Sequence, residues 1–184
     1  VVVQLGQNVY LFDYDAGQDL LRKGILKLVR WQRGDGSIYA PVPSGFIPEG
    51  QNRQEQHDGT YDRELPYQML SSIGWYGFWR YYQFTADRET IEQVYPHVKK
   101  YLSLWALTEQ GVTQPREPAR AWIWVDWGKH KDTPVLASCW HYLALKGAAE
   151  MARITGAEDD IREYEQVMKS IEENFHAVYW QGKY

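Results

Sequence analysis

The chain has 184 residues, 44% hydrophobic and 24% charged, which is enough apolar material for one globular domain and too little charge excess for a disordered chain. A formal charge of −4 leaves no broad basic field for phosphate backbones, so no nucleic-acid partner is expected. No stretch approaches the ~18 apolar residues of a membrane span, so no membrane partner is expected either.

The start, Val1-Val-Val-Gln, has neither an initiator Met nor a signal-peptide layout, so a trimmed start is expected and the compartment is not legible. Residues 1–12 read as the tail of a helix and Asp13-Tyr-Asp-Ala-Gly17 as a turn. A helix is predicted over 18–33, where Leu21, Ile25, Leu28 and Val29 keep helical spacing and Gly34-Asp-Gly36 stops it. Residues 37–63 form a long irregular segment with Pro41, Pro43 and Pro48, and loops of that length in compact domains are usually functional or disordered.

A helix over 65–84 opens with Pro66; Gly74 and Gly77 weaken it but allow close helix packing. Thr85-Ala-Asp87 turns into a helix over 88–108, with a kink expected at Pro96, where an i−4 hydrogen bond is lost. Residues 109–120, with Pro115 and Pro118, lead into Ala121-Trp-Ile-Trp-Val-Asp-Trp-Gly-Lys-His-Lys-Asp-Thr-Pro134. There Trp122, Trp124 and Asp126 alternate as in a strand, so a loop or short strand is expected. Thr133 reads as an N-cap with Pro134 at the first helical position. Helices over 134–154 and 158–179, joined at Thr155-Gly156, close the chain; the lone Cys139 excludes a disulfide framework and is expected in the core.

An internal repeat organises these elements: Asp15, Thr85 and Thr155 are 70 residues apart, and the offset continues through Leu21, Ile91 and Ile161 and through Leu28, Val98 and Met168. A unit of helix, tight turn, helix and long loop therefore recurs, and its period exceeds the roughly 34–47 residues of common helical repeats. An all-α toroid of hairpins fits, with the long loops gathered at one mouth. Nine Trp, fourteen Tyr and five Phe exceed what such a core needs, and exposed aromatics suit ligands with flat, weakly apolar faces such as sugars.

Several stretches together carry a family resemblance: Trp31-Gln32 with Asp35-Gly36-Ser37-Ile38, Pro41-Val-Pro-Ser-Gly45, Trp79-Arg-Tyr-Tyr-Gln-Phe-Thr-Ala-Asp-Arg-Glu89, Tyr95-Pro96, Asp126-Trp127 with Asp132-Thr-Pro134, and Ala148-Ala-Glu-Met-Ala-Arg-Ile-Thr-Gly156. Nearly the whole chain resembles the catalytic domain of bacterial α-L-rhamnosidases, the six-hairpin (α/α) glycosidases. The resemblance implies an (α/α)6 toroid, of which this chain supplies about half, and glycoside hydrolysis by an inverting acid/base pair. It also implies that the general acid lies in a stretch preceding Val1 and the general base in a hairpin beyond Tyr184, so the catalytic residues are expected outside the chain and the 184 residues alone are expected to be inactive. Around Leu70-Ser-Ser72 the family's Trp-x-Asp-Ala pattern is replaced, which leaves related sugar specificities open.

By the same resemblance Trp124, Asp126 and Trp127 contact sugar, the carboxylate accepting hydroxyls while an indole stacks on the ring; a buried Trp cluster with Asp126 capping a turn is the alternative. The cluster holding His57, Asp58, Asp62 and Glu64 could place carboxylates at the pocket, or Asp62 and Glu64 could favour the N-terminus of the next helix. His130, between two lysines, reads as solvated, and His97, His141 and His176 as packing or surface residues without metal-ligand spacing, so neither a metal nor a cofactor is expected. An incomplete ring exposes apolar inner faces, which makes self-association an expected partner interaction. The competing functions are a non-catalytic helical-repeat scaffold binding glycan or protein, and an isomerase or lyase on a similar toroid.

Overall fold

The structure, a computed structural model, describes residues 15–40, 63–118, 121, 131–180 and 182. Expectations for residues 1–14 and 41–62 lie outside the described residues. In chain order the elements are α1 (Asp15–Arg30), β1 (Tyr39–Ala40), β2 (Arg63–Glu64), α2 (Pro66–Ile73), a π-helical turn (Trp75–Trp79), α3 (Arg80–Thr85), α4 (Arg88–Leu102), α5 (Thr133–Thr155) and α6 (Glu158–Tyr179). The all-α class expected from the repeat is what the described residues form, apart from the two-residue antiparallel ribbon β1–β2.

Several predicted boundaries move, each for a local reason. Helix α1 already includes Asp15 to Gly17, where a turn was expected. It ends at Arg30 because the amides of Trp31 and Gln32 donate to carbonyls three residues back. Gly36 then adopts φ +94°, and a Cβ there would lie 2.8 Å from the Lys100 carbonyl oxygen, so the stop requires glycine.

The single helix expected over 65–84 is broken into α2, the π-turn and α3. A Cβ on Gly77 would fall 1.6 Å from the Ser72 carbonyl oxygen, so this wide turn admits only glycine there. Gly74 and Gly147 instead realise the close packing expected of small residues: a Cβ on Gly147 would sit 2.6 Å from the Gly74 carbonyl carbon. Helix α4 runs through Pro96 without interruption and ends at Leu102, short of the expected 108. Beyond it, the amides of Leu104 and Trp105 bond to Tyr101 and Leu102, which tightens the chain and turns Trp105 inward.

Two acidic caps fix helix starts. Asp87 accepts from the Thr90 amide at 3.0 Å, the Thr90 hydroxyl at 2.6 Å and the Tyr81 hydroxyl at 2.6 Å. Asp132, rather than Thr133, caps α5 by accepting from the Val135 amide at 3.1 Å. Thr133 is therefore the first helical residue and Pro134 the second, still among the positions whose N–H has no intrahelical acceptor. The 70-residue offset reappears in the turns, since Ala86 and Gly156 both take the left-handed conformation. It also reappears in the core, where Leu21 and Ile91, Leu28 and Val98, and Tyr101 and Ile171 are buried.

Helix α5 is the packing centre: it lies against α2, the π-turn, α4 and α6, while α1 lies against α4. Its inward face is Ala137, Ser138, His141, Ala144, Leu145 and Ala148. That rotation leaves Cys139 exposed, which corrects the expectation of a core cysteine. Among the described residues no helix is long and apolar enough to cross a membrane.

Candidate functional site

The described ends of the two long segments meet. Ribbon β1–β2 pairs Tyr39 with Glu64 and Ala40 with Arg63, closing residues 41–62 at their base. Glu64 also forms a parallel bridge with Ala121, where the aromatic and acidic stretch begins. One residue thus joins the end of the first segment to the start of the second.

The side chain of Glu64 is buried to 1% exposure. Its Oε1 accepts from the Tyr101 hydroxyl at 3.0 Å and pairs with the Arg116 guanidinium, whose side chain is 20% exposed. Its Oε2 has no partner among the described residues. Burial, then the nearby carboxylate of Glu64, holds the Tyr101 phenol well above its usual range, so it stays a neutral donor. The charge of Arg116 also acts on Asp35, whose carboxyl is held low, against burial, first by the Ser37 hydroxyl at 2.7 Å, then by the Ser37 amide at 2.9 Å and last by the charges of Arg33 and Arg116. Arg33 in turn lies over the Tyr39 ring at 4.3 Å. This end of the molecule therefore gathers two arginines, two carboxylates and two tyrosines from four segments of the chain.

Beside it stands an aromatic wall. The Tyr67 and Trp105 rings are 5.9 Å apart, and Trp105 lies 5.6 Å from the His141 ring. His141 Nδ1 meets the Thr113 hydroxyl at 3.0 Å, and burial lowers the histidine to about 4, so it is neutral near pH 7. The Thr113 amide donates to Ser138 Oγ, which meets the Tyr179 hydroxyl at 3.0 Å; that hydroxyl also lies 3.2 Å from the Pro134 carbonyl oxygen. The chain of bonds ties residues 113–116 to the start of α5.

Of the predicted site residues, Asp58, Asp62, Trp124, Asp126 and Trp127, with His57 and His130, lie outside the described residues. Glu64 is described, and it does not cap α2: the N-cap there is Leu65, with no side-chain bond. Sequence reasoning missed Arg116 and Tyr101, which stand 52 and 37 residues from Glu64. It also missed the work of Gln32, whose Nε2 donates to the Gly36 and His97 carbonyls, each at 2.9 Å, tying the end of α1 to α4. The quoted Trp31-Gln32 and Asp35-Gly36-Ser37 motifs were the available signal, and they build this corner. Among the described residues, no group of three His, Cys, Asp or Glu is placed to hold a metal ion.

No curated protein and no solved structure matched the chain. Residues 4–184 match the family described as the bacterial alpha-L-rhamnosidase 6 hairpin glycosidase domain. With helical turns repeating every 70 residues and a match across essentially its whole length, the chain belongs to the bacterial α-L-rhamnosidase six-hairpin glycosidase family.

Proposed function

We propose that the chain forms part of the substrate-binding region of an inverting glycoside hydrolase of α-L-rhamnosidase type. The observation that supports this most is the Glu64–Ala121 junction: the segment ending at β2 carries Asp58 and Asp62, and the one beginning at Ala121 carries Trp124, Asp126 and Trp127. In this reading the indoles of Trp124 and Trp127 stack on the sugar ring, and Asp126, with Asp58 and Asp62, accepts its hydroxyls.

Inversion needs a carboxylic acid to protonate the departing oxygen and a carboxylate roughly 6.5–9.5 Å away to activate water. In this reading both groups lie outside residues 1–184, as the family resemblance implies, and the chain alone is expected to bind sugar without turning it over. Losing either group typically removes on the order of 10²-fold to 10⁴-fold in rate. The apolar faces that further hairpins of the ring would cover are where copies of the chain would associate.

Titrating mono- and disaccharides against the wild type and Trp127→Ala, following tryptophan fluorescence, tests the reading. It predicts a saturable response that Trp127→Ala weakens. Equal responses, or none in the wild type, would remove the sugar site and favour a scaffold role.

A further inference from the structure

The junctions α1–α4 and α4–α6 are related by the 70-residue offset, yet one is closed and the other open. Between α1 and α4, Gln32 closes the junction: its Nε2 donates to the Gly36 and His97 carbonyls, each at 2.9 Å, and its Oε1 meets His97 Nδ1 at 2.7 Å. Seventy residues on, these three positions are Leu102, Ala106 and Val167, none of which has a polar side chain. Between α4 and α6 they line an open cleft of about 240 Å³. The turn differs too. Gly36 packs on the Lys100 carbonyl, whereas at the matching Ser170 it is the Gly111 carbonyl that accepts from the hydroxyl, at 3.0 Å, and Ala106 stays exposed.

The depth of this cleft is built from α5 and the chain after α4. His141, 2% exposed, lines it beside Leu145 and Trp105. Thr113 occupies His141 Nδ1, which leaves Nε2 for a ligand, and burial keeps the ring neutral near pH 7. The volume is that of about eight waters at roughly 30 Å³ each, so a single ring fits. Leu102, Leu145 and Val167 would strand the several hydroxyls of a sugar, and a neutral imidazole offers no charge to an anion. Of the cations and anions at the rim, Lys99 is already committed to Asp160 at 2.6 Å. One neutral polar group among apolar and aromatic walls suits a small ring with one polar substituent, and the Trp105 indole favours an aromatic one. We propose that the cleft between α4 and α6 binds a small phenol, its hydroxyl on His141 Nε2 and its ring between Leu102 and Val167. A hydroxyl both donates and accepts, so it satisfies either tautomer of the histidine. The site uses none of the residues of the sugar reading and does not depend on it.

The test is a fluorine NMR titration of 4-fluorophenol against the 184-residue chain, with thermal melting to check each variant's fold. The wild type should broaden the signal saturably, with a dissociation constant on the order of 1 mM. Fluorobenzene, which lacks the hydroxyl, should bind about tenfold more weakly. His141→Leu should bring 4-fluorophenol down to the fluorobenzene level while leaving fluorobenzene itself unchanged, a pattern that mere loosening of the fold would not produce. Val167→Phe fills the cleft from α6 and should abolish binding of both; should His141→Leu not fold, this variant and the ratio of the two probes decide. No saturable binding, or wild-type affinity in Val167→Phe, overturns the site. Equal affinity for the two probes overturns the role of His141, and displacement of 4-fluorophenol by L-rhamnose overturns the choice of a phenol over a sugar.

Discussion

Replacing Gly147 by alanine tests the packing that carries the π-turn. Alanine is the better helix former by about 1 kcal/mol, so in open space the change stabilises. At Gly147 the new Cβ meets the Gly74 carbonyl carbon and the Trp75 amide nitrogen, both at 2.6 Å and both backbone, so no side chain can swing aside. The two helical segments must separate by several tenths of an ångström, and overpacking of this kind costs about 1–3 kcal/mol. The separation also loosens Tyr76 from Trp140, whose rings are 6.2 Å apart, and Trp75 from Lys146. Set against the gain in helix propensity, the net expectation is a loss of up to about 2 kcal/mol, or up to roughly 6 °C in Tm for a chain of this size. Gly24→Ala is the matched control: it lies inside α1 with nothing within 4 Å of the added Cβ, and should raise Tm by about 2 °C. Melting both variants by circular dichroism decides the matter. A Gly147→Ala variant as stable as Gly24→Ala would refute the close contact between the π-turn and α5.

Asp87→Ala should cost about 2–4 kcal/mol, because it removes an N-cap and strands the hydroxyls of Tyr81 and Thr90; chemical denaturation measures it, and a loss below about 1 kcal/mol would contradict the cluster. Burial raises the Asp87 and Asp160 carboxyls, but bonds from Thr90 and Tyr81 to the one, and from Lys99 and Tyr95 to the other, outweigh it and hold both below their ordinary value. Their stabilisation is present above the unfolded carboxylate range and should be lost as pH falls through the lower folded values, seen as acid-side loss in urea midpoints. His141 acts over a higher window: its folded value of about 4 lies below the unfolded 6.5, so the unfolded chain takes up the proton first. Stability should therefore decline from pH 6.5 to pH 4 by about 3 kcal/mol on its account, and His141→Gln should flatten that slope; an unchanged slope would refute the buried neutral histidine.

The helices were legible because apolar spacing is a local property: α1, α4, α5 and α6 fall where Leu21, Ile25, Ile91, Val98, Ala144 and Ile171 put them. The 70-residue period was legible for the same reason, and the turns at Ala86 and Gly156 share one backbone conformation. The break after Ile73 was not, because Gly74 and Gly77 read as weak helix rather than as a wide turn shaped by Gly147 and Ser72. The end of α4 was hidden because Leu104 and Trp105 continue an apolar pattern, while tertiary burial of Trp105 bends the backbone away. Glu64 was named together with Asp58 and Asp62, but its partners could not be, since Tyr101 and Arg116 come from other segments and ion pairs leave no local spacing signal.

The central claim is that sugar binds where the two long segments meet. Amide hydrogen exchange of the 184-residue chain with and without L-rhamnose measures this directly. The account predicts added protection confined to peptides covering residues 58–64 and 121–130, lost in Trp127→Ala. Protection elsewhere, or none at saturating L-rhamnose, would contradict it.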